Sequence, residues 1–430
     1  MTPYNVLVFP GGSEIGLEIN RALCHCKEVI LFSGAIEGSH HAPFVYKNNI
    51  ALPSIYENGW LEILNQAIQK NRIDFIFPAY DDIVVELAKY SNQLAAKVIT
   101  SPYETCYIAR SKLRTYREFA DVLPVPICYS TLNDVTAYPI FIKPDIGQGS
   151  QGAQLVHYKS ELETLHKQFL DRNKILVMME NLTGTEYTID CFSHRTQGLL
   201  YCSGRERIRT KNGISVASRP VEKQIFREYA QIISKRLVMH GAWFFQVKQD
   251  REGIYKLLEI APRIAGTMAL NRVQGVNFPL LSIYEALAIP LHLIVNHHHV
   301  EIDRALTNRY KHDLVFDTVY VDLDDTLIIR NKVNLELVRF LYQCINLQLK
   351  LILVTRHQGD LTQTLSQYRL QGLFDQIIHL THNEKKSDYI DSSKAIFIDD
   401  SFNERQDVNL NCQIPTFDVS MIEMLLDDRM

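Results

Sequence analysis

The chain has 430 residues, 46% of them hydrophobic and 22% charged, with a formal net charge of -4. That length exceeds one ordinary hydrophobic core and predicts two or three globular domains. The lack of a basic excess argues against nucleic acid as the main partner, and no run of about 18 apolar residues is present to span a membrane.

The start, "MTPYNVLVFPGG", has neither the basic nor the long apolar part of a leader segment, which predicts a cytoplasmic protein. The eight cysteines are scattered without a CxxC and read as reduced thiols. Cys24 and Cys26 flank His25, and small apolar thiols at a helix end are favoured there over a metal site. The first segment, residues 1–97, opens with the apolar run Asn5–Phe9, the turn "PGGSEIG" and a helical pattern through Arg21–Leu23. The run "EVILFSG", a helical stretch near Trp60–Lys70 and the strand "DFIFPAY" follow. Strand and helix alternating at this spacing predict a parallel, doubly wound α/β sheet. Gly11, Gly12 and Gly16 do not form a strict GxGxxG, and no acidic residue closes "LFSG". The glycines therefore read as a tight strand-to-helix turn, not a dinucleotide site.

The second segment, residues 98–300, contains long β-rich stretches and helical patterns at Ser111–Ala120, Ser160–Leu170 and Glu222–Met239. "YPIFIKPDIGQGSQG" puts Lys143 at a strand end before a glycine-rich turn. Glycine backbone can bring N–H groups against phosphates, and a fixed cation can clamp them. Glu180 ends the strand "ILVMME", where a carboxylate can accept from an amino group or a ribose hydroxyl. "FFQVKQDREGIYKLLEIAPR" reads as two paired strands around "DREG" that carry Gln246 and Glu259. Oxygen ligands on neighbouring strands suit a Mg²⁺ that bridges two phosphates. The tract His297–His299 reads as a solvated loop in a linker rather than a metal site.

Together these motifs resemble the ATP-grasp superfamily, in the branch of carbamoyl-phosphate synthetase and biotin carboxylase, over about residues 1–300. The resemblance implies a Rossmann-like pre-ATP-grasp domain over 1–97 and an ATP-grasp α+β domain over 98–300. It implies ATP with Mg²⁺ or Mn²⁺ as cofactors. It makes Lys112, in "ARSKLRTYREFA", the first phosphate-side lysine and Lys143 the second, with Gly149 and Ser150 in the phosphate loop. Glu180 lies at the adenine hinge, and Glu186, in "GTEYTID", contacts the ribose. Gln246 and Glu259 are metal ligands, and Arg263, in "EIAPRIAG", stabilises an acyl phosphate. Arg205, in "GRERIR", is assigned to substrate or phosphate. Each has a plainer alternative: Lys112 facing solvent from an amphipathic helix, Glu186 as an exposed strand residue, Arg263 in a core ion pair. One departure stands out. The family usually reads Glu-x-Asn, and this chain reads Glu259-Ile260-Ala261, so a second metal position loses an oxygen.

The third segment, residues 315–430, alternates again: strand "TVYVDLD", helix Leu335–Leu347, strand "KLILVTR", helix Asp360–Leu370, strand "AIFIDD". Asp322 and Asp324 follow the first strand, where open α/β sheets hold their sites, and a period of two would put both on one face. Phosphoester hydrolysis needs a carboxylate nucleophile, an acid/base and a metal to shield phosphate charge. Asp322 suits the first and Asp324 the second. Thr355 can donate to a phosphate oxygen, and Lys386, or the adjacent Lys385, can neutralise charge. Asp399 and Asp400, with Asp322 and Asp324, can hold Mg²⁺. Acidic residues that merely cap strands explain one such pair but not two pairs with Thr355 and a lysine. The ordered set resembles the haloacid dehalogenase superfamily of phosphohydrolases and implies a doubly wound parallel sheet. Only eight residues separate Thr326 from Leu335, so no large cap domain is expected.

The two resemblances imply an ATP-dependent ligase that joins a small-molecule carboxylate to an amine or similar nucleophile, fused to a phosphatase for a phosphorylated small molecule. The rival is an ATP-sensing module that regulates the phosphatase. Related folds often dimerise, which implies a homodimer by analogy.

Overall fold

Short apolar runs between glycine turns become buried strands, and amphipathic stretches become the helices that cover them. The computed structural model describes residues 2–429 except 148, 150, 172, 173 and 392. The chain divides into two units, Met1–Leu306 and Thr307–Met430. Among the described residues, no helix is long and apolar enough to cross a membrane. All eight cysteines are free thiols.

The first unit holds three sheets. Strands β1 (Tyr4–Phe9), β2 (Val29–Ala35), β3 (Asn48–Ala51), β4 (Phe75–Pro78) and β5 (Lys97–Val98) form a parallel sheet in the order β3-β2-β1-β4-β5. Helices α1 (Glu14–Leu23), α2 (Trp60–Asn71) and α3 (Asp81–Lys89) connect them. This is the strand order of a doubly wound sheet. Ser13 caps α1 by accepting the Gly16 N–H. A Cβ on Gly16 would lie 2.5 Å from the Gly11 carbonyl, so its glycine lets the helix close on the turn.

Helices α4 (Tyr103–Arg110) and α5 (Lys112–Phe119) lead to an antiparallel sheet. Its strands are β6 (Cys128–Tyr129), β7 (Ile140–Pro144), β8 (Gln154–Val156) and β9 (Leu176–Glu180), in the order β6-β9-β7-β8, and α6 (Lys159–Asp171) joins β8 to β9. The third sheet is antiparallel and built from β10 (Glu186–His194), β11 (Gly198–Lys211), β12 (Ile214–Val221), β13 (Gly241–Gln249), β14 (Tyr255–Ala261) and β15 (Ile302–Asp303). Its order is β14-β13-β10-β11-β12-β15. Helix α7 (Gln224–Arg236) buries Phe226, Tyr229, Ala230 and Ile233 in one core with Trp243 and Phe245. Helix α8 (Ala269–Val273) follows β14, and α9 (Phe278–Ala286) shares a second core with the first sheet's Val6 and Val8.

The second unit is a five-stranded parallel sheet. Its strand β16 (Thr318–Val321) is central, and the hairpin β17 (Ile328–Ile329) and β18 (Lys332–Val333) follows it. Then come α10 (Leu335–Asn346), β19 (Lys350–Thr355), α11 (Leu361–Gln367), β20 (Gln376–His379), β21 (Ala395–Ile398), α12 (Phe402–Cys412) and β22 (Thr416–Phe417). The order is β20-β19-β16-β21-β22. The hairpin turns through Arg330 and Asn331, both at positive φ, so the segment after Thr326 is a two-residue turn.

Phe245 is fully buried against Trp243, and both tryptophans of the chain, Trp60 and Trp243, lie in the first unit. Tryptophan fluorescence therefore follows that unit alone. Phe245→Ala should lower its unfolding free energy by about 3–5 kcal/mol, seen as an earlier urea midpoint in fluorescence. An unshifted midpoint would contradict the core assigned to this sheet.

Candidate active sites

Asp145, at the end of β7, organises the first site. Its carboxylate accepts from Ser111 Oγ at 2.7 and 2.9 Å and from the Leu113 N–H at 2.8 Å, while its carbonyl accepts from Lys112 Nζ at 3.1 Å. A strand end thus caps the start of α5 and anchors the first lysine. Tyr116, one turn along α5, accepts from Lys143 Nζ at 2.8 Å and donates to the Leu258 carbonyl of β14 at 3.0 Å. Lys143 on the four-stranded sheet is thereby tied to the strand that carries Glu259. Burial, with Lys112 nearby, pulls the Lys143 ammonium down to about 8, against the pull of Glu259. Burial also lowers Lys112, opposed by Glu259.

The six-stranded sheet supplies a row of side chains. Glu259 pairs with Gln246, Gln246 with Thr188 and Thr188 with Arg205, so these four project from one face. Neither Gln246 nor Glu259 hydrogen-bonds through its side chain to a described residue, which leaves two neighbouring oxygens for a cation. Two residues along each strand, the same face carries Ala261, Phe244 and Asp190. Ala261 is buried opposite Phe244, so an apolar side chain stands where the resembled family has a ligand. Glu259, Ala261, Arg263, Lys112, Asp81 and Arg110 line one pocket.

The other expected residues are already engaged. The Arg263 guanidinium pairs with both oxygens of Asp81, at the start of α3, and lies over the Phe244 ring, 5.1 Å from its centre. Arg263 thus combines the expected position at the pocket with the plainer alternative of an ion pair. Glu186 pairs with Arg207 at 2.8 Å, and the Glu180 carboxylate accepts the Ile127 N–H at 2.9 Å. Arg205 is buried against Asp190 at 2.7 Å, and Asn271 of α8 donates to that same carboxylate at 2.8 Å. Lys112 does not face solvent as a helix-surface lysine would; it lines the pocket. Gly149 sits in the glycine turn at a φ of 61°. Ser150 lies outside the described residues.

In the second unit, Lys386 Nζ sits between Asp322 Oδ1 and Asp399 Oδ2, 2.6 Å from each. Lys385 is exposed and pairs with Asp407, so Lys386 is the lysine of the site. Burial raises the Asp322 carboxyl to about 7, with Asp399 adding and Lys386 opposing. Burial raises Asp399 as well, against Lys386. For Lys386, burial would lower the ammonium, but Asp322 and Asp399 outweigh it and raise it. Asp322, Asp399 and Asp400 each offer an oxygen within 4.8 Å of the others, the one group of three such residues among those described. A set of three carboxylate oxygens suits a hard divalent cation. Thr355 Oγ accepts the His357 N–H at 3.2 Å, which leaves its own proton free to donate.

Asp324 departs from the expectation. Strand β16 ends at Val321, so a two-residue period does not place it. Instead Asp324 bridges Ile328, and Asp325 takes a φ of 57°, which swings the Asp324 carboxylate to the pocket mouth. It stands outside the three-oxygen group and faces His357 at 3.0 Å. Sequence reasoning missed Asp81, Tyr116 and Asp145 in the first unit, and Thr326 and His357 in the second. Thr326 Oγ lies 3.0 Å from Asp400 Oδ1 and accepts the Asp400 N–H at 2.9 Å. The only local signals were adjacency: Asp145 two residues after Lys143, and His357 two after Thr355.

Residues 172–310 match a family model described as ATP-grasp in the biosynthetic pathway with Ter operon. The first unit has the ATP-grasp fold. Biotin carboxylase from Campylobacter jejuni, solved as a β,γ-ATP complex, aligns at a TM-score of 0.58 and 14% identity, over 69% of this chain and 74% of that one. N5-carboxyaminoimidazole synthetase from Staphylococcus aureus, complexed with ADP, aligns at 0.57 and 15%, over 69% and 80%. L-amino acid ligase from Bacillus licheniformis aligns at 0.52 and 18%, over 68% and 75%. No curated protein matches the sequence. In this ATP-grasp unit the four- and six-stranded sheets carry Lys143 and the Glu259–Gln246 pair respectively, with α5 bonded to both.

The titration of Asp322 has a consequence for stability. Its folded pKa, about 7, lies above the ordinary carboxylate value, so the folded state holds more protons between about pH 4 and 7. Asp322 therefore costs stability as pH rises through that window. With divalent cations chelated, Asp322→Asn should melt higher than the unaltered protein at pH 7. The gap should close toward pH 4 and correspond to a few kcal/mol, on the order of the linkage value. Calorimetry across the window checks this, and a constant gap would contradict the buried, shared-charge arrangement.

Proposed function

We propose that the protein is bifunctional: an ATP-dependent carboxylate–amine ligase and a divalent-metal-dependent phosphohydrolase acting on a substrate or product of the same reaction sequence. The observation that carries the ligase reading is the convergence of Lys112, Lys143 and Glu259, two cations shielded from water near a carboxylate that has no hydrogen-bond partner among the described residues, in a unit of ATP-grasp fold. The solved neighbours include proteins bound to ADP or an ATP analogue and an L-amino acid ligase, which supports ATP as the nucleotide.

In this reading the two lysines clamp the phosphates of ATP, with backbone N–H groups of the turn at Gly149 against them. Glu180 and Glu186 face the adenine and ribose. Mg²⁺ or Mn²⁺ held by Gln246 and Glu259 would shield the charge of the transferring phosphoryl group. A substrate carboxylate oxygen attacks the γ-phosphorus, ADP leaves, and the acyl phosphate then loses phosphate to an attacking amine, whose proton is released. Arg263 stabilises the acyl phosphate from the pocket wall it shares with Asp81. Arg205, neutralised by Asp190, holds a substrate group.

The phosphohydrolase reading rests on Asp322, Lys386 and Asp399 in one buried cluster with Asp400 beside them, the three aspartates just past strand ends, in the order that resembles the haloacid dehalogenase superfamily. Asp322 attacks phosphorus, the ester oxygen leaves, and Asp324 gives that oxygen its proton. Water then opens the aspartyl phosphate, losing its proton to Asp324 and releasing phosphate. Thr355 and Lys386 bind phosphoryl oxygens, and a divalent cation on Asp322, Asp399 and Asp400 would offset their charge. The short hairpin after Thr326 leaves the site open to a bulky phosphorylated small molecule.

The test is ADP release from Mg-ATP by the Asp322→Asn protein, supplied with pools of carboxylates and amines. Turnover that requires one carboxylate pool and one amine pool is expected, and Lys143→Met in the same background should abolish it. Nucleotide binding without ADP formation would sink the ligase reading. It would leave the ATP-grasp unit as a nucleotide sensor, the outcome that apolar Ala261 opposite Phe244 favours.

A further inference from the structure

Asp324 is half exposed, and a carboxylate in that position turns freely unless something holds it. Among the described side chains its hydrogen-bond partner is His357, whose Nδ1 lies 3.0 Å from both carboxylate oxygens. His357 is itself fastened on every side. Its Nε2 meets Thr364 Oγ of α11 at 2.9 Å, its N–H donates to Thr355 Oγ at 3.2 Å, and its carbonyl accepts from His379 Nε2 at 2.8 Å. Arg356, the residue before it, is drawn aside by the Glu384 carbonyl and the Glu404 carboxylate. The imidazole is thus the group of this loop that faces Asp324. Gly359 gives it room, since a Cβ there would stand 3.0 Å from His357 Nε2.

We propose that His357 is a positioning residue for the leaving group: held by Thr364 in the room that Gly359 leaves, it keeps the Asp324 carboxyl where the departing ester oxygen collects its proton. This rests on the phosphohydrolase reading of the same site. The chemistry separates a held proton donor from general structural support. A p-nitrophenolate leaves without needing a proton, whereas phenolate and more basic oxyanions leave poorly until they receive one. A residue that acts through Asp324 therefore matters more as the leaving group becomes more basic. A residue that only props up the loop affects all esters alike.

The experiment measures kcat and KM of the full-length protein with Mg²⁺ on p-nitrophenyl, phenyl and p-methoxyphenyl phosphate. His357→Ala should cost phenyl and p-methoxyphenyl phosphate about tenfold or more beyond its cost on p-nitrophenyl phosphate, mainly in kcat. His357→Asn, whose amide can still donate to the carboxylate, should recover part of that selectivity. Asp324→Asn should show the same leaving-group pattern, and the double variant little further loss, because the two act as one unit. Equal losses on all three esters, in variants that melt like the unaltered protein, would overturn the inference and leave the phosphohydrolase reading standing. No turnover of any ester by the unaltered protein would overturn both.

Discussion

The first unit depends on keeping two ammonium groups, partly buried Lys112 and fully buried Lys143, near one another. Like charges at such a distance repel strongly where water is excluded. The fold answers with oxygen atoms that belong to the scaffold: the Asp145 carbonyl for Lys112, the Tyr116 hydroxyl for Lys143. Neither oxygen fully neutralises its lysine, and Glu259, the one carboxylate near both, hydrogen-bonds neither. Lys112 and Lys143 are thus held without a carboxylate hydrogen-bonded to either among the described residues. The same contacts fix the architecture, because Tyr116 bridges the four-stranded and six-stranded sheets, and Asp145 caps the helix between them. Site and scaffold are one hydrogen-bond network.

The second unit solves the opposite problem with the opposite sign. Three carboxylates crowd the ends of β16 and β21, and a single buried lysine is shared between two of them. One ammonium cannot balance three acidic groups, so burial keeps Asp322 and Asp399 inclined to hold protons. A divalent cation on these oxygens would remove that conflict. Thr326 contributes in a quieter way: its hydroxyl binds the Asp400 backbone and side chain, which joins the turn after β16 to the end of β21.

Much of this was legible in the sequence because strand ends are legible. "YPIFIKP", "LILVT" and "AIFIDD" are apolar runs that stop at a polar residue, and the structure ends its strands there. What escaped was of two kinds. Tyr116, Asp81 and Thr364 act across elements far apart in the chain, and no local pattern marks them. Asp324 failed for a geometric reason: period-two reasoning assumes an unbroken strand, and β16 breaks at Val321 into a turn with a left-handed residue at Asp325. The short strands β3, β5, β20 and β22 were missed too, since two to four residues give alternation no room to show.

Ala261 gains meaning from its neighbours. An asparagine there would project beside Phe244 into a face that already packs against the apolar core. With alanine, the Phe244 ring is free to carry the Arg263 guanidinium on its face, and Asp81 completes the arginine's surroundings from α3. Where the resembled family places a metal-binding oxygen, this chain has the Ala261 methyl, and two residues on Arg263 is braced between an aromatic ring and a carboxylate. Arginine cannot lose its charge at any working pH, so the Arg263–Asp81 ion pair at this wall of the pocket persists wherever Asp81 is ionised.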